Sequence, residues 1–150
     1  MRALAPLLPA AALLATLASA CTGPGPVAIQ YDADECDRCR MTISDPAFAG
    51  QLVTRTGKVY RFDDPACLAS FAKSGQVASA DIHSIWINDH AHPDTLVRAE
   101  GALFVVSGRI RAPMNGRTAA FAGRDDAAML QSSVSGALLT WTDLLTRGPS

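Results

Sequence analysis

The sequence carries no excess of charge of either sign and has few charged residues overall. Its 150 residues include 13 basic and 14 acidic side chains, and charged residues make up 18% of the chain. Binding to nucleic acid needs a strongly basic face, and a disordered chain combines low hydrophobicity with high net charge. The balanced charge and a hydrophobic content of 49% argue against both classes and indicate one globular domain, or two very small ones.

Motifs of several enzyme and cofactor classes are also missing. The sequence contains neither a phosphate-binding glycine loop nor a hydrolase triad in a supporting context. A c-type haem requires histidine directly after a C-x-x-C motif, but Arg40 occupies that position. Beyond the first twenty positions, no apolar run reaches the ~20 residues of a membrane span. The chemistry of this chain is therefore expected to rest on its four cysteines and two of its methionines.

The first twenty residues have the pattern of an export signal. Arg2 provides a positive start, an apolar run from Ala3 to Ala18 follows, and small residues end the segment. Cys21 stands directly after it, which resembles the lipobox of bacterial lipoproteins, whose cysteine is acylated and becomes the mature N-terminus. Ala18 departs from that pattern, because the lipobox usually has a larger aliphatic residue at this position.

We therefore expect a lipid-anchored membrane protein that faces the periplasm. Residues 1–20 are the predicted lipoprotein signal peptide, and Cys21 is the predicted lipid anchor. Residues 21–30, rich in glycine and proline, are expected to form a flexible tether. An ordinary secretory signal with an incidental cysteine is the alternative.

The chain after the tether predicts two similar α+β units, the first over residues 31–80. Residues 50–55 and 58–62 contain β-branched and aromatic residues, and the Thr56-Gly57 pair between them indicates a hairpin turn. Asp64 and Pro65 then have the positions of an N-cap and a first helical residue. The helix is expected to extend to Lys73.

The second unit, over residues 81–150, repeats this pattern. The predicted hairpin strands are residues 109–111 and 117–121, joined by a turn at Pro113–Gly116, and a helix is expected to begin after Gly123. Further strands are predicted before each hairpin and after each helix, at residues 41–43, 102–107, 84–88 and 137–141. We therefore predict an α+β fold made of two duplicated hairpin–helix–strand units that cover each other.

The segment from Cys36 to Met41 has the sequence C-x-x-C-x-M and places three sulfur atoms within six positions. Soft thiolate and thioether ligands favour Cu(I), whereas thioethers are poor ligands for hard cations. Cys39 and Met41 are two residues apart, so in an extended strand they would project on the same side. The motif therefore indicates a copper site.

Other interpretations of these cysteines stay open at this point. A disulfide between Cys36 and Cys39 suits an oxidising compartment. A thioredoxin-like motif needs its C-x-x-C at the start of a helix, whereas the following residues suit a strand and a turn. Half a zinc ribbon would need His90 and His92 to complete it, and these two histidines could instead form a secondary copper or zinc site, or a solvated loop.

Two further sulfur residues stand in unusual positions. Cys67 lies in the first turn of the predicted first helix, where backbone N–H groups stabilise a thiolate. It is a candidate ligand, a candidate disulfide partner of Cys36, or a buried small hydrophobic residue. Met114 lies in a Pro/Asn/Gly turn, where a flexible apolar side chain buries little surface, so a functional sulfur is as reasonable there as a packing role.

Taken in order along the chain, these features resemble the NosL family, the copper-binding accessory lipoproteins of nitrous oxide reductase. The resemblance covers nearly all of the chain after the signal segment. It is carried by Cys36-x-x-Cys39-x-Met41, Phe62-Asp63-Asp64, Phe104-Val105-Val106, Pro113-Met114 and Ala120-Phe121.

The resemblance implies a duplicated α+β fold in which cysteine and methionine sulfur holds Cu(I). Cys39, Met41 and Met114 match the metal-binding positions of the family, and Cys36 matches its first motif cysteine. The sequence departs from the family at Asn115, because methionine there is commonly followed directly by glycine. That extra residue is expected to affect the position of the Met114 sulfur.

The function implied by the resemblance is copper delivery for the assembly of the copper centres of nitrous oxide reductase. The implied partners are the reductase, a membrane transporter of the same maturation system, and the lipid membrane through Cys21. Our hypothesis is a carrier and not an enzyme, with one thiolate and two thioethers bridging the two units around Cu(I). The alternatives are a periplasmic thiol-disulfide oxidoreductase and a structural lipoprotein with disulfides.

Overall fold

Residues 23–147, which the computed structural model describes, form seven strands, three α-helices and two single-turn 3₁₀ helices. The strands are β1 (Gly50–Thr54), β2 (Val59–Phe62), β3 (Ile82–Asn88), β4 (Leu96–Arg98), β5 (Leu103–Val106), β6 (Thr118–Phe121) and β7 (Ala137–Leu139). The α-helices are α1 (Pro65–Lys73), α2 (Arg124–Val134) and α3 (Trp141–Arg147), and the 3₁₀ helices are Ser79–Asp81 and Ala99–Gly101. The predicted signal peptide and Cys21 lie outside the described residues.

The strands form two antiparallel sheets with the orders β2-β1-β3-β4 and β6-β5-β7. In both sheets the first strand in the chain is flanked by the next strand and by the strand that follows the helix. The predicted α+β fold class is therefore confirmed. The first sheet extends past residue 80, where the sequence placed the division, because β3 pairs with β1 and β4 pairs with β3.

The hairpin predicted for the second unit is wrong in its first strand. Residues 109–111 form no strand, and β5 is the strand that pairs with β6. The apolar segment of β5 pairs with β6 instead of residues 109–111, because this pairing buries Phe104 and Val105 completely, at 0% exposure each. The chain from Ser107 to Arg117 then forms a long loop, whose ends are joined by a hydrogen bond from the Ser107 N–H to the Arg117 carbonyl at 2.9 Å.

Two other predicted strands also differ from the structure. Residues 41–43 make only a single bridge, between Thr42 and Glu35, because Arg40 interrupts the extended chain with a left-handed φ of 67°. The strand predicted over residues 137–141 ends at Leu139, and Trp141 begins α3. Trp141 is buried and packs against Phe104 with a ring separation of 5.7 Å, which explains why it joins the core from a helix.

The first helix begins where the sequence predicted. Asp64 is the N-cap in an extended conformation, its carboxylate accepts the Cys67 N–H, and Pro65 is the first helical residue. The buried face of α1 packs on the first sheet through Leu68 and Phe71, and Phe71 lies 5.0 Å from the Phe62 ring between centroids. This packing holds the start of α1 against the end of β2.

The end of the predicted tether is bound to the first sheet. The Val27 N–H donates to Oε1 of Gln51 at 3.0 Å, and Nε2 of Gln51 donates back to the Val27 carbonyl at 2.8 Å. Gln51 is fully buried on β1, and these bonds satisfy its amide. Within residues 23–147, no helix is long and apolar enough to cross a bilayer.

We expect Gly50→Ala to destabilise the protein by about 1–3 kcal/mol, as overpacking of a dense core does. A Cβ at this position would lie 2.7 Å from Cδ1 of Ile87 and 2.9 Å from Cδ2 of Leu68, between the first sheet and α1. Gly108→Ala is the matched control, because a Cβ there meets open space. Urea unfolding followed by circular dichroism measures both, and equal stability of the two variants would contradict this account of the core.

Candidate metal centre

The C-x-x-C motif forms a tight turn that precedes β1 in the chain and lies beside the end of β2 in the structure. The Cys36 N–H donates to the Met41 carbonyl at 2.8 Å, and the Arg40 N–H donates to the Cys36 carbonyl at 2.9 Å. Asp37 joins this turn to β2, because its N–H donates to the Arg61 carbonyl and its carboxylate accepts the Arg61 N–H. The two motif cysteines are thereby held beside the last residues of β2.

The junction between β2 and α1 supplies the other groups. Asp63 and Asp64 follow the last residue of β2, and Cys67 lies in the first turn of α1. All three are buried, at 1%, 0% and 8% exposure. The cap formed by Asp64 fixes the orientation of this turn, and with it the position of the Cys67 side chain.

Cys36, Cys39, Cys67 and Asp63 form what we call the Cys3Asp cluster. One ligand atom from each of these residues lies within 4.8 Å of the others. Cys36 is completely buried and Cys39 is partly exposed. The three described cysteines are free thiols, so the structure contains no disulfide between Cys36 and either partner considered from the sequence.

The thiols of the cluster differ in their pKa values. Hydrogen bonding with the Cys67 side chain and with backbone groups of Cys39, Asp63 and Arg38 lowers the pKa of Cys36 to about 7, although burial opposes this shift. The same bond raises the pKa of Cys67, as do burial and the neighbouring Asp64 and Asp63 charges.

Cys39 is the cysteine at the surface of the cluster. Burial raises the pKa of its thiol to about 11, although a hydrogen bond from the Met41 backbone opposes this shift. Its S–H donates to Oδ2 of Asp63 at 3.4 Å. Among the described residues, Oδ1 of the same carboxylate has no hydrogen-bond partner.

A cleft of about 340 Å³ opens onto the cluster. Cys39 and Cys67 line one part of it, and Met114 lines another part together with Asn115 and Gly116. The cleft therefore joins sulfur atoms from distant parts of the chain. Cys39 and Cys67 flank the first hairpin, and Met114 lies in the long loop between β5 and β6.

Asp64 also binds this loop. Its Oδ2 accepts the Met114 N–H at 3.3 Å, while its Oδ1 accepts the Cys67 N–H at 2.7 Å. Gly116 allows the close approach, because a Cβ there would overlap the Asp64 carboxylate and lie 2.7 Å from the Ala66 Cβ. Asn115, at which the sequence departs from the family pattern, takes up the extra residue with a left-handed φ of 54°.

Met41 does not line the cleft with the other predicted ligands. Its side chain is 54% exposed, and its backbone is the part that contacts the cluster. The expectation that Met41 and Cys39 project on one side of a strand fails because Arg40 breaks the extended conformation between them. The structure thus brings Cys36, Cys39 and Met114 to the cluster or its opening and leaves the Met41 thioether on the surface beside it.

Asp63 was not predicted as a site residue, and Cys67 was only one of several candidates in the sequence. The N-cap at Asp64 is the sequence feature that could have predicted both residues. A capped helix turn directly after a strand places residues 63 and 67 close together. The histidines lie elsewhere: His90 packs 4.8 Å from the Phe48 ring in a second cleft, and exposed His92 lies beside Asp89 at 3.3 Å. Neither belongs to the Cys3Asp cluster.

Comparison with known proteins finds a family model and a solved structure that are similar to this chain. The family model described as NosL matches residues 26–147. The crystal structure of the copper chaperone NosL from Shewanella denitrificans has the same fold, with a TM-score of 0.72 and 23% sequence identity, covering 81% of this chain and 96% of that one. No curated protein matches the sequence.

Two substitutions separate the roles of Asp64. Asp64→Ala removes both contacts and should lower the free energy of unfolding by about 1–2 kcal/mol, as N-cap removal does. Asp64→Ser keeps a capping oxygen but cannot also hold the Met114 N–H, so we expect a smaller loss. Denaturant unfolding measures both, with Asp94→Ala, at an exposed residue, as the control. Equal stability of Asp64→Ala and the control would contradict the proposed cap.

Proposed function

The chain belongs to the NosL family, and we propose that it is a copper chaperone that binds Cu(I) through cysteine and methionine sulfur and passes it to a copper protein. The solved relative from Shewanella denitrificans is a copper chaperone, which supports this proposal. The observation that carries it is a cleft lined by the Cys39 and Cys67 thiols and the Met114 thioether, with the Cys36 thiol buried within 4.8 Å of the two cysteine sulfurs. Thiolate and thioether ligands select Cu(I) among the common biological metals.

The copper ligands are Cys39 and Met114 at the cleft, supported by Cys36. Cys36 has the lowest thiol pKa of the cluster, about 7, and is therefore the thiol that ionises most easily. A single thiolate neutralises Cu(I), and a site of low net charge costs little to desolvate. Met41, the remaining sulfur residue predicted as a ligand, does not line the cleft, and its side chain is 54% exposed.

The same arrangement favours release of the ion to a partner. Met114 is 40% exposed at the opening, so ligands of a partner protein can reach an ion bound there. Thioethers are weaker donors than thiolates and can be replaced one at a time. The protein therefore acts as a carrier and not as an enzyme, and it takes no small-molecule substrate.

The finer parts of the function rest on the sequence. Acylated Cys21 anchors the protein to a membrane, facing the periplasm, at the start of the tether predicted over residues 21–30. The anchor keeps the carrier near a membrane transporter and raises its effective concentration there. The client is nitrous oxide reductase, whose copper centres require Cu(I) for their assembly.

Thiol-disulfide exchange is the second candidate function, and the structure offers it little support. A thioredoxin-like motif starts a helix, whereas this C-x-x-C forms a turn before β1. Cys36, the thiol with the lowest pKa, is completely buried and cannot attack a protein disulfide without rearrangement. Insulin reduction should therefore be absent in the wild type, and activity that survives Met114→Leu would favour the oxidoreductase.

Anaerobic titration of the reduced protein should show tight uptake of Cu(I). We expect Cys39→Ser and Met114→Leu each to weaken the affinity roughly tenfold or more, because each removes a sulfur ligand. Met129→Leu is the matched control, since Met129 is 72% exposed on α2 and lines a different cleft. Competition with a chromophoric Cu(I) chelator measures the affinities, and two variants that bind as tightly as the control would refute this site.

The anchor has its own test. Cys21→Ser should release the protein from the membrane fraction and leave its Cu(I) affinity unchanged, because Cys21 is not one of the proposed copper ligands. Fractionation with intact-mass measurement shows the acyl chains on the wild-type N-terminus. A wild-type protein without acyl chains would rule out the lipid anchor.

A further inference from the structure

Arginine residues stand at the opening of the cleft. Arg38 lines the cleft directly, on the C-x-x-C turn. Arg117 directly follows Gly116, which also lines the cleft, and Arg111 stands three positions before Met114. We call Arg38, Arg111 and Arg117 the arginine rim. Its three members belong to the two segments of chain that form the opening.

The positive charge of the arginine rim is a local feature of the molecule. The whole chain has 13 basic and 14 acidic residues, yet residues 101–124 contain four arginines and no acidic residue. Two members of the rim are exposed and the third is half-buried. Within residues 23–147, none of the three takes part in an ion pair. The charge of the rim is therefore not balanced by neighbouring carboxylates.

The acidic residues of the C-x-x-C turn have partners of their own. Glu35 pairs with Arg40 at 2.7 Å, and Asp34 pairs with Arg61 at 3.2 Å. Asp37 accepts the Arg61 N–H at 2.7 Å. These carboxylates therefore balance or bind other groups and not the arginine rim.

Two methionine side chains are exposed in the same region. Met41 is 54% exposed beside the Cys3Asp cluster, and Met114 is 40% exposed at the opening of the cleft. Protein interfaces are enriched in methionine and arginine and depleted of lysine, and every cation of the rim is arginine. The guanidinium group also presents its donors in a planar fork that matches a carboxylate.

Arg38 is already oriented for such a contact. Its Nε donates to Oγ of Ser70 on α1 at 3.1 Å, so the guanidinium group is held at the wall of the cleft. Arginine has five N–H donors, and the other four of Arg38 have no partner within the part of the chain that the structure describes. They are available to a carboxylate that approaches from outside.

We propose that the arginine rim, together with Met41 and Met114, is the docking surface for the protein that takes the copper, and that this partner presents carboxylate side chains around its own copper ligands. The inference rests on the proposed function, because transfer requires the ligands of a partner to reach the cleft. Complementary charge accelerates encounter and fixes the orientation in which two proteins meet.

An anionic membrane is the other kind of surface that attracts arginine. Segments that recognise anionic lipids carry clusters of roughly 4–8 basic residues, whereas the rim has three, arranged around a cleft. Lipid head groups also supply no sulfur or imidazole ligand that could receive Cu(I). The observations therefore favour a protein as the occupant of this surface.

The experiment is an NMR titration of the reduced, copper-free full chain, labelled with ¹⁵N and carrying Cys21→Ser. The probes are two short peptides with the same methionine core, one flanked by glutamates and one by glutamines. We expect the glutamate peptide to bind about tenfold more tightly at low salt and to shift the amides of the cleft. The preference should vanish in about 1 M salt, where the Debye length is about 3 Å.

A double variant tests the rim itself. Arg38→Gln with Arg111→Gln should weaken binding of the glutamate peptide roughly tenfold and change binding of the glutamine peptide little. Arg124→Gln with Arg147→Gln is the matched control, because it removes the same charge from two exposed residues at the start of α2 and the end of α3. In the copper-loaded protein, transfer of Cu(I) to the glutamate peptide should slow by a similar factor in the rim variant only.

Equal binding of the two peptides would overturn the inference, and so would equal losses in the rim and control variants. Vesicles of phosphatidylcholine and phosphatidylserine test the membrane directly. Binding to these vesicles that requires the arginine rim, without a preference for the glutamate peptide, would assign the surface to lipid and refute a protein partner.

The copper-free titration separates this inference from the proposed function. A protein that docks the glutamate peptide as expected but fails to bind Cu(I) would refute the copper function and leave the docking surface intact. A protein that binds Cu(I) but does not prefer the glutamate peptide would refute only the docking surface.

Discussion

The Asp64 carboxylate uses its two oxygens for two different parts of the molecule. Oδ1 accepts the Cys67 N–H and caps α1, while Oδ2 accepts the Met114 N–H from a loop fifty positions further along the chain. Asp64 itself is completely buried, and burial raises the pKa of its carboxyl above the usual range. The position of Cys67 on α1 and that of Met114 in the loop between β5 and β6 therefore both depend on the Asp64 side chain.

The sulfur atoms around this contact differ in their exposure. The Cys36 and Cys67 thiols are buried, Cys39 is partly exposed, and the Met114 and Met41 side chains are exposed. The thiols, which are the stronger ligands, are thus more buried than the thioethers, which are the weaker ligands. An ion held in this way is bound by thiolates and is accessible through thioethers, which is the physical requirement of a carrier.

The local elements with strong chemical signals could be predicted from the sequence. The hairpin at Thr56-Gly57 and the helix starting at Pro65 follow from turn and capping residues, and both are present. The error at residues 109–111 arose because alternating polar and apolar residues also occur in loops that pack on a sheet. Ile110 is buried in this way, at 6% exposure, without any strand partner. Only competition with the more apolar β5 decides which segment pairs with β6.

The sequence by itself determined the donor atoms, because soft sulfur chemistry depends on residue type, and it determined the capped helix start, because capping involves neighbours in the chain. The tertiary structure decided which donors meet. It added Asp63 and Cys67 to the C-x-x-C motif, brought Met114 to the same cleft, and left the Met41 thioether at the surface. The placement of Met41 depends on the left-handed backbone of Arg40, and that of Met114 depends on the hydrogen bond between its N–H and the distant Asp64 carboxylate. Residue spacing and secondary-structure propensity predict neither of these two features.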